Sequence, residues 1–219
     1  MGDVNSVNIC ETGRMMTSKV TYHHGDLRTA LVHSALALLE EEGAAALSMR
    51  AVARHAGVTA AAPYRHYQDR DALMSAVAAV GYRELAADLV AVSPTPSTAD
   101  EIADVAIAYV QFALRRPALF RAMFSEQCDA GSPERVDAVA AISTYLRTNI
   151  ARVFPDADAD ALSDAVWALV HGLAFLFLDG KFDSTDTGEL ERRVRAAVQA
   201  VVGLAGSYRP SANSRSDCT

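Results

Sequence analysis

The chain of 219 residues is 51% hydrophobic and carries a formal net charge of −7, so its length and apolar content suffice for a sizeable core in one or two domains. Its widely separated cysteines, Cys10, Cys128 and Cys218, form no Cys-x-x-Cys pair, which argues against a disulfide framework or a zinc site. No signal-peptide pattern opens the chain and the longest apolar stretch, residues 165–178, is too short to cross a bilayer, which predicts a soluble cytoplasmic protein.

The chain is predicted to be all-α. Alanine is frequent and the alternation typical of strands is nearly absent. Residues 1–20 are polar and aperiodic and are expected to form a disordered extension, with residues 207–219 as a disordered tail. The first helix is predicted from Asp26 to Glu42, with Gly43 ending it.

Residues 48–70 carry the most informative pattern in the chain. Ser48 is expected to cap a short amphipathic helix that stops at Gly57, and Thr59 to cap a second helix that runs to Tyr67. Gly57 stands where the backbone must enter left-handed space without a Cβ clash. Two short helices joined by a three-residue turn predict a helix-turn-helix.

Pro63 interrupts the second of these helices. It lies four residues after Thr59, so its missing N–H removes the first helical hydrogen bond and its ring crowds the Thr59 carbonyl. We expect Pro63 to bend the first turn, and the bend to be tolerated because it lies at a helix end.

The rest of the chain continues as helices. Asp69 to Ala91 predicts one long helix of about 30 Å, which ends at the Ser- and Pro-rich linker 93–98. Residues 21–70 are thus expected to form a head and residues 71–206 a second helical domain. The further helices are predicted up to Arg115, from Pro117, from about Val136 to Val153, from Asp160 to Leu178 and from Glu189 to Ala205.

The last two predicted helices are candidates for a homodimer interface. The helix from Asp160 to Leu178 is apolar all round and must be covered on more than one side, and the helix from Glu189 to Ala205 carries an apolar stripe with small residues. A second copy could complete a four-helix interface. The predicted interface side chains are Val166, Val170, Leu173, Phe177, Val194, Ala197 and Val201.

The second domain also carries enough aromatic area to line a cavity for a small apolar or aromatic molecule, although a filled core explains the same residues equally well. His171 is the most informative member, because a histidine on an apolar face either is satisfied within the core or orients a ligand. The candidates are Tyr109, Phe112, Phe120, Met123, Phe124, Tyr145, Trp167, His171 and Phe175.

Residues 22–85 resemble the N-terminal domain of TetR-type bacterial transcriptional regulators. The matching runs are Tyr-His-His-Gly-Asp-Leu, Ala-Val-Ala-Arg-His-Ala-Gly-Val-Thr and Pro-Tyr-Arg-His-Tyr-x-x-Arg-Asp-Ala-Leu. Trp167-Ala-Leu-Val-His171-Gly172 resembles the signature of a subgroup named for its Trp, His and Gly. The resemblance implies a helical dimer whose heads bind double-stranded DNA at a pseudopalindromic operator, and whose C-terminal domains bind a small effector.

The same resemblance assigns the DNA contacts. Ala60 and Ala61 fall where base-facing side chains often lie, so direct readout would rest on thymine methyl groups, on Arg65 or on Arg50. The positions that resemble phosphate-contacting residues are Ser48, Thr59, Tyr64, His66 and Arg70.

The negative net charge does not oppose this interpretation, because it is unevenly distributed. From Arg14 to Ser75 there are seven Arg or Lys against six Asp or Glu, and from Ala76 to Tyr208 eleven against eighteen. Phosphate contact requires only a local basic face.

Two other classes of function remain open. A helical enzyme centred on His171 is disfavoured, because the chain has no Glu-x-x-His pair, nucleophile elbow, phosphate loop or dinucleotide fingerprint. No catalytic residue and no cofactor is predicted. A dimeric interaction protein that does not bind DNA is the other alternative, favoured by the methyl-lined start of the second short helix.

The histidines near the N-terminus suggest a metal site only weakly. His23 and His24, with His33 or His55, have no carboxylate or cysteine to complete a ligand set, so no metal is predicted. With Tyr22, the adjacent pair could instead form an arm near the minor groove.

Overall fold

The computed structural model describes residues 26–207 apart from residues 126, 127 and 130, and within that range every regular element is a helix. The predicted extension, the tail, His23 and His24 lie outside the described residues. The described residues form eight α-helices: α1 (Asp26–Glu42), α2 (Met49–His55), α3 (Arg70–Val92), α4 (Ala99–Arg115), α5 (Pro117–Ser125), α6 (Pro133–Val153), α7 (Ala159–Leu178) and α8 (Thr187–Ser207).

Side-chain caps set several of these helix starts where the sequence predicts them. Ser48 Oγ accepts from the Ala51 amide at 3.2 Å, and an Asp69 carboxylate oxygen accepts from the Ala72 amide at 2.8 Å. At the start of α4, where no cap was predicted, Thr98 and Glu101 form a reciprocal capping box. These bonds satisfy amide groups that have no partner within the first helical turn.

The head consists of α1, α2 and the chain leading to α3. The apolar side of α1 packs against α2, α3 and α5, and burial of Leu31, Leu39 and Val52 is complete or nearly so. A 3₁₀ helix, Ala44–Ala46, joins α1 to α2 after Gly43, whose φ is +81°. The predicted first helix is confirmed over its full length.

The body is organised around α3 and α4. Helix α3 packs against α4, α5 and α6, and α4 packs against α7 and α8. Gly81 permits the close approach of α3 to α5, because a Cβ there would lie 2.5 Å from Met123 Sδ. Tyr145 of α6 donates a hydrogen bond to the Ser93 carbonyl at 2.5 Å, which ties the end of α3 to α6.

Helix α7 is longer than its apolar stretch, and among the described helices it alone is long and apolar enough to cross a membrane. Asp158 caps it and Asp160 lies in its first turn. It packs against α4, α6 and α8, and its Val166, Val170 and Leu173 are buried in the core. These contacts give α7 the position of a core helix.

Candidate nucleic-acid interface and ligand site

The turn after α2 has the geometry that the sequence predicts. Gly57 has a φ of +68° and its amide donates to the Arg54 carbonyl at 3.1 Å, while the Val58 amide donates to the Ala53 carbonyl at 2.9 Å. This pair of bonds is a Schellman motif, which ends a helix when the following residue adopts left-handed backbone. Val58 is half-buried against the head core.

The segment after the turn is not the α-helix predicted from Thr59 to Tyr67. The Thr59 carbonyl accepts from the Ala62 amide at 2.9 Å, and only Pro63–Arg65 form a 3₁₀ helix. Pro63 has no N–H to donate to Thr59, so the chain closes the tighter i to i+3 bond instead. The cap position of the 3₁₀ helix is Ala62, and the predicted capping role of Thr59 is wrong.

This segment, residues 59–66, nevertheless presents its predicted contact residues outward. Tyr64 is 54% exposed, whereas Tyr67 is 4% exposed and anchors the segment in the head core. His66 is half-buried. The other exposed candidates are Ser48, Arg50, Thr59, Ala60, Ala61 and Arg65.

Arg70, a predicted phosphate contact, also hydrogen-bonds within the head. It is half-buried, its Nε donates to the Leu47 carbonyl at 3.0 Å and its Nη2 to the Ala44 carbonyl at 3.1 Å. The guanidinium therefore satisfies carbonyls of the segment just before Ser48. These bonds make Arg70 a positioning residue for the start of α2.

Two arginines join the head to the body. Arg28 Nη2 lies 2.7 Å from Glu134 Oε1 at the start of α6, and its Nε donates to the Tyr67 hydroxyl at 3.4 Å. Burial raises the pKa of Tyr67, which keeps the phenol neutral. The sequence holds no local signal for this contact, because Arg28 and Glu134 are 106 residues apart.

Arg116 makes the second connection. Its Nε lies 2.9 Å from Glu40 Oε1 of α1, and its Nη1 lies 2.7 Å from Glu84 Oε2 of α3. A single guanidinium thus holds the end of α1, the middle of α3 and the end of α4 together.

In the body, three of the predicted cavity residues fill the core instead. Phe112, Phe120 and Met123 are each no more than 2% exposed. The Phe120 ring is the centre of the aromatic cluster, at 5.6 Å from the Tyr109 ring and 5.5 Å from the Phe175 ring. Their burial favours the alternative of a filled core for this part of the set.

Other members of the set surround open space. A small apolar cavity of about 40 Å³ lies between α3, α4, α6 and α7, and Tyr109, Tyr145 and Trp167 line it. Val166 and Val170, which the sequence assigned to a dimer interface, line the same cavity. Burial raises the pKa of Tyr145 to about 12, so its hydroxyl remains a neutral donor.

His171 lies beside this cavity in a groove that is open to solvent, together with Phe124 and Trp167. Its Nδ1 is 3.0 Å from the Tyr109 hydroxyl. Burial lowers the pKa of His171 below 6.5, which favours the neutral imidazole at neutral pH. Phe175 lies under the Arg121 guanidinium at 5.7 Å.

The structure corrects the predicted dimer interface. Ala197 and Val201 are half-buried and can still contact a second copy. The other five are buried in the core of the single chain and cannot reach a partner unless that core opens. They are Val166, Val170, Leu173, Phe177 and Val194. Because α7 is apolar on every side, its sequence pattern does not indicate which side faces inward.

A helical body carrying a helix-turn-helix head whose second segment is exposed defines a class of DNA-binding regulators. Comparison with known families agrees: residues 31–77 match the model "Bacterial regulatory proteins, tetR family", and residues 102–201 match "Tetracyclin repressor-like, C-terminal domain". The chain belongs to the TetR family, and it is a DNA-binding transcriptional regulator.

Solved structures show the same fold. A protein of unknown function from Rhodococcus sp. RHA1 is 33% identical with a TM-score of 0.70, over 85% of this chain and 100% of that one. A tetR-family transcriptional regulator from Streptomyces coelicolor is 18% identical with a TM-score of 0.67, over 86% of this chain and 85% of that one. PfmR from Thermus thermophilus, a TetR family transcriptional regulator, is 19% identical with a TM-score of 0.57, over 82% of this chain and 99% of that one. No functionally curated protein matches the chain.

Proposed function

We propose that this regulator is a dimeric repressor that a small effector releases from its operator. The observation that carries the proposal is that one helix serves both sites. Helix α3 begins at Arg70, whose side chain supports the start of α2, and near its other end Leu89 lines the apolar cavity. A ligand that shifts this end of α3 would also shift the head, and a coupling of about 1 to 3 kcal/mol is sufficient for regulation.

DNA contact is assigned to the segment 59–66 together with the exposed start of α2. Tyr64 and Thr59 would contact phosphate oxygens, and Arg50 and Arg65 would contact either phosphates or base edges; all four side chains are exposed. The methyl groups of Ala60 and Ala61 are exposed beside them and suit contact with thymine. The same methyl-lined edge supports the second candidate, an interaction protein without DNA binding.

The homodimer is assigned to the outer faces of α7 and α8. Leu176 is 39% exposed and Leu204 is 72% exposed, and both are large apolar side chains left uncovered by the single chain. Gly172 has no other atom within 4 Å of its would-be Cβ, so another helix can approach it closely. In such a dimer the heads would occupy successive major grooves about 34 Å apart. We infer further that the protein acts in the cytoplasm without catalysis, and that its Trp-His-Gly run marks the subgroup.

The test of the DNA assignment is binding to fragments of the protein's own upstream region at several salt concentrations. Wild-type affinity should fall steeply as salt rises, because phosphate contacts release counterions. Arg50→Ala and Tyr64→Ala should each weaken binding about tenfold, at ~1 to 2 kcal/mol per contact. Arg83→Ala is the matched control, since Arg83 is exposed on α3 in the body and should leave binding unchanged. Wild-type binding with both head variants unaffected would refute the assignment, and absence of binding would favour the interaction protein.

A further inference from the structure

Trp167 borders three spaces in the body. Its side chain lines the small apolar cavity of about 40 Å³. It also lines a groove between α6 and α7 of about 210 Å³ and the open space of about 290 Å³ beside His171. Asp164 and Trp167 line both the groove and that open space. A ligand in the groove would therefore contact the indole.

The charges that face the groove do not balance. Arg147 lies 3.6 Å from Asp160, so these two neutralise each other. Arg121 of α5 is paired with Asp179, at the end of α7, at 2.5 Å. Asp164 is exposed and has no hydrogen-bond or ion-pair partner within the part of the chain that the structure describes. The groove thus holds one uncompensated carboxylate.

The remaining walls suit a cation with an apolar body. Phe124 and His171 pack edge to face, with ring centroids 4.5 Å apart, and the Trp167 indole lies next to them in the groove. Aromatic faces attract ammonium groups through their quadrupole, most strongly for Trp. His171 adds no opposing positive charge, because burial lowers its pKa and Tyr109 occupies its Nδ1.

We propose that this groove binds an amphipathic organic cation, with the ammonium group between Asp164 and Trp167 and the apolar body directed towards the cavity. The inference rests on the proposed function, since such a cation would be the effector. The carboxylate supplies charge complementarity at the solvent side, and the apolar residues around Tyr109 and Tyr145 accept the hydrocarbon part.

Trp167 is the only tryptophan of the chain, so its fluorescence reports occupancy of the groove directly. Three soluble probes of one shape separate charge from apolar contact: 3-phenylpropylammonium, 3-phenylpropanol and 3-phenylpropanoate. Each is titrated into the full-length protein at neutral pH, with calorimetry as the second readout. The ammonium should bind about fivefold more tightly than the alcohol, and the carboxylate more weakly than both.

Asp164→Asn is the decisive variant. It should weaken ammonium binding about threefold to fivefold and leave the alcohol unchanged, because only the ion contact is lost. Asp137→Asn removes the same charge from an exposed position of α6 that does not line the groove, and should retain the wild-type preference. Because Asp164 is exposed, neither change should affect folding.

Three results would overturn the inference: equal affinity for ammonium and alcohol in the wild type, an unchanged preference in Asp164→Asn, or no response to any probe. DNA binding is measured on the same preparations without probe. Loss of the cation preference with intact DNA binding would reject the ligand class alone, whereas a cation preference without DNA binding would reject the proposed function and retain the groove.

Discussion

Gly81→Ala tests the packing of α3 against α5. A Cβ at position 81 would lie 2.5 Å from Met123 Sδ, 2.9 Å from Met123 Cγ and 3.1 Å from Leu119 Cδ1. Ordinary contact begins near 3.4 Å, so Met123 must retreat by about 0.9 Å. Met123 is 2% exposed and Leu119 is fully buried, which leaves little free space for that movement.

Two effects oppose each other in this variant. Overpacking a filled core costs about 1 to 3 kcal/mol. Replacing glycine by alanine inside a helix returns about 1 kcal/mol. The expected net change is a loss of about 1 kcal/mol in the free energy of unfolding. It is measured by urea denaturation at fixed protein concentration, because the proposed dimer would make stability depend on concentration.

Met123→Ala provides the internal control for this prediction. Without the Met123 side chain the two shortest contacts disappear and only the 3.1 Å approach to Leu119 Cδ1 remains, which Leu119 can relieve by moving into the vacated space, so Gly81→Ala should then stabilise the protein by about 1 kcal/mol. The double-mutant cycle should accordingly give a coupling of about 2 kcal/mol between the two positions. The same effect of Gly81→Ala in both backgrounds, or stabilisation in the wild type, would refute the proposed steric cause.

Three further predictions concern single residues. Gly57→Ala should lower the free energy of unfolding by about 1 to 2 kcal/mol, because φ of +68° is unfavourable for a residue with a Cβ. Gly57→Asn should lower it less, since Asn adopts this conformation more readily. Equal losses in the two variants would contradict this cause. Ser48→Ala should lower the free energy of unfolding by about 1 kcal/mol, because the cap is lost. Ser48→Asp can accept the same hydrogen bond and should retain most of the wild-type stability. Burial lowers the pKa of His171, so near and below pH 6.5 the unfolded state binds more protons than the folded state, and the free energy of unfolding should fall as the pH drops through 6.5. His171→Asn should remove this contribution to the pH dependence of the free energy of unfolding. The same pH dependence in the wild type and the variant would contradict the reasoning.

Local interactions explain most of what the sequence predicted correctly. Helix ends depend on residues three or four positions away, as with Ser48 and Asp69, and the turn at Gly57 depends on one residue's access to positive φ. Pro63 also acts locally, through its missing N–H. Its effect is larger than the predicted bend, because no α-helix forms between Thr59 and Tyr67 and only Pro63–Arg65 form a 3₁₀ helix.

The amino-acid order alone was sufficient for most helix limits, their caps, the helix-turn-helix outline and the family, since each depends on neighbours along the chain or on a continuous motif. Packing in three dimensions was needed to establish which face of α7 points inward, which aromatic residues border open space, and that Arg28 meets Glu134 across 106 residues. A helix that is apolar on every side contains no periodic signal for its orientation, so the helices packed around it choose the buried face.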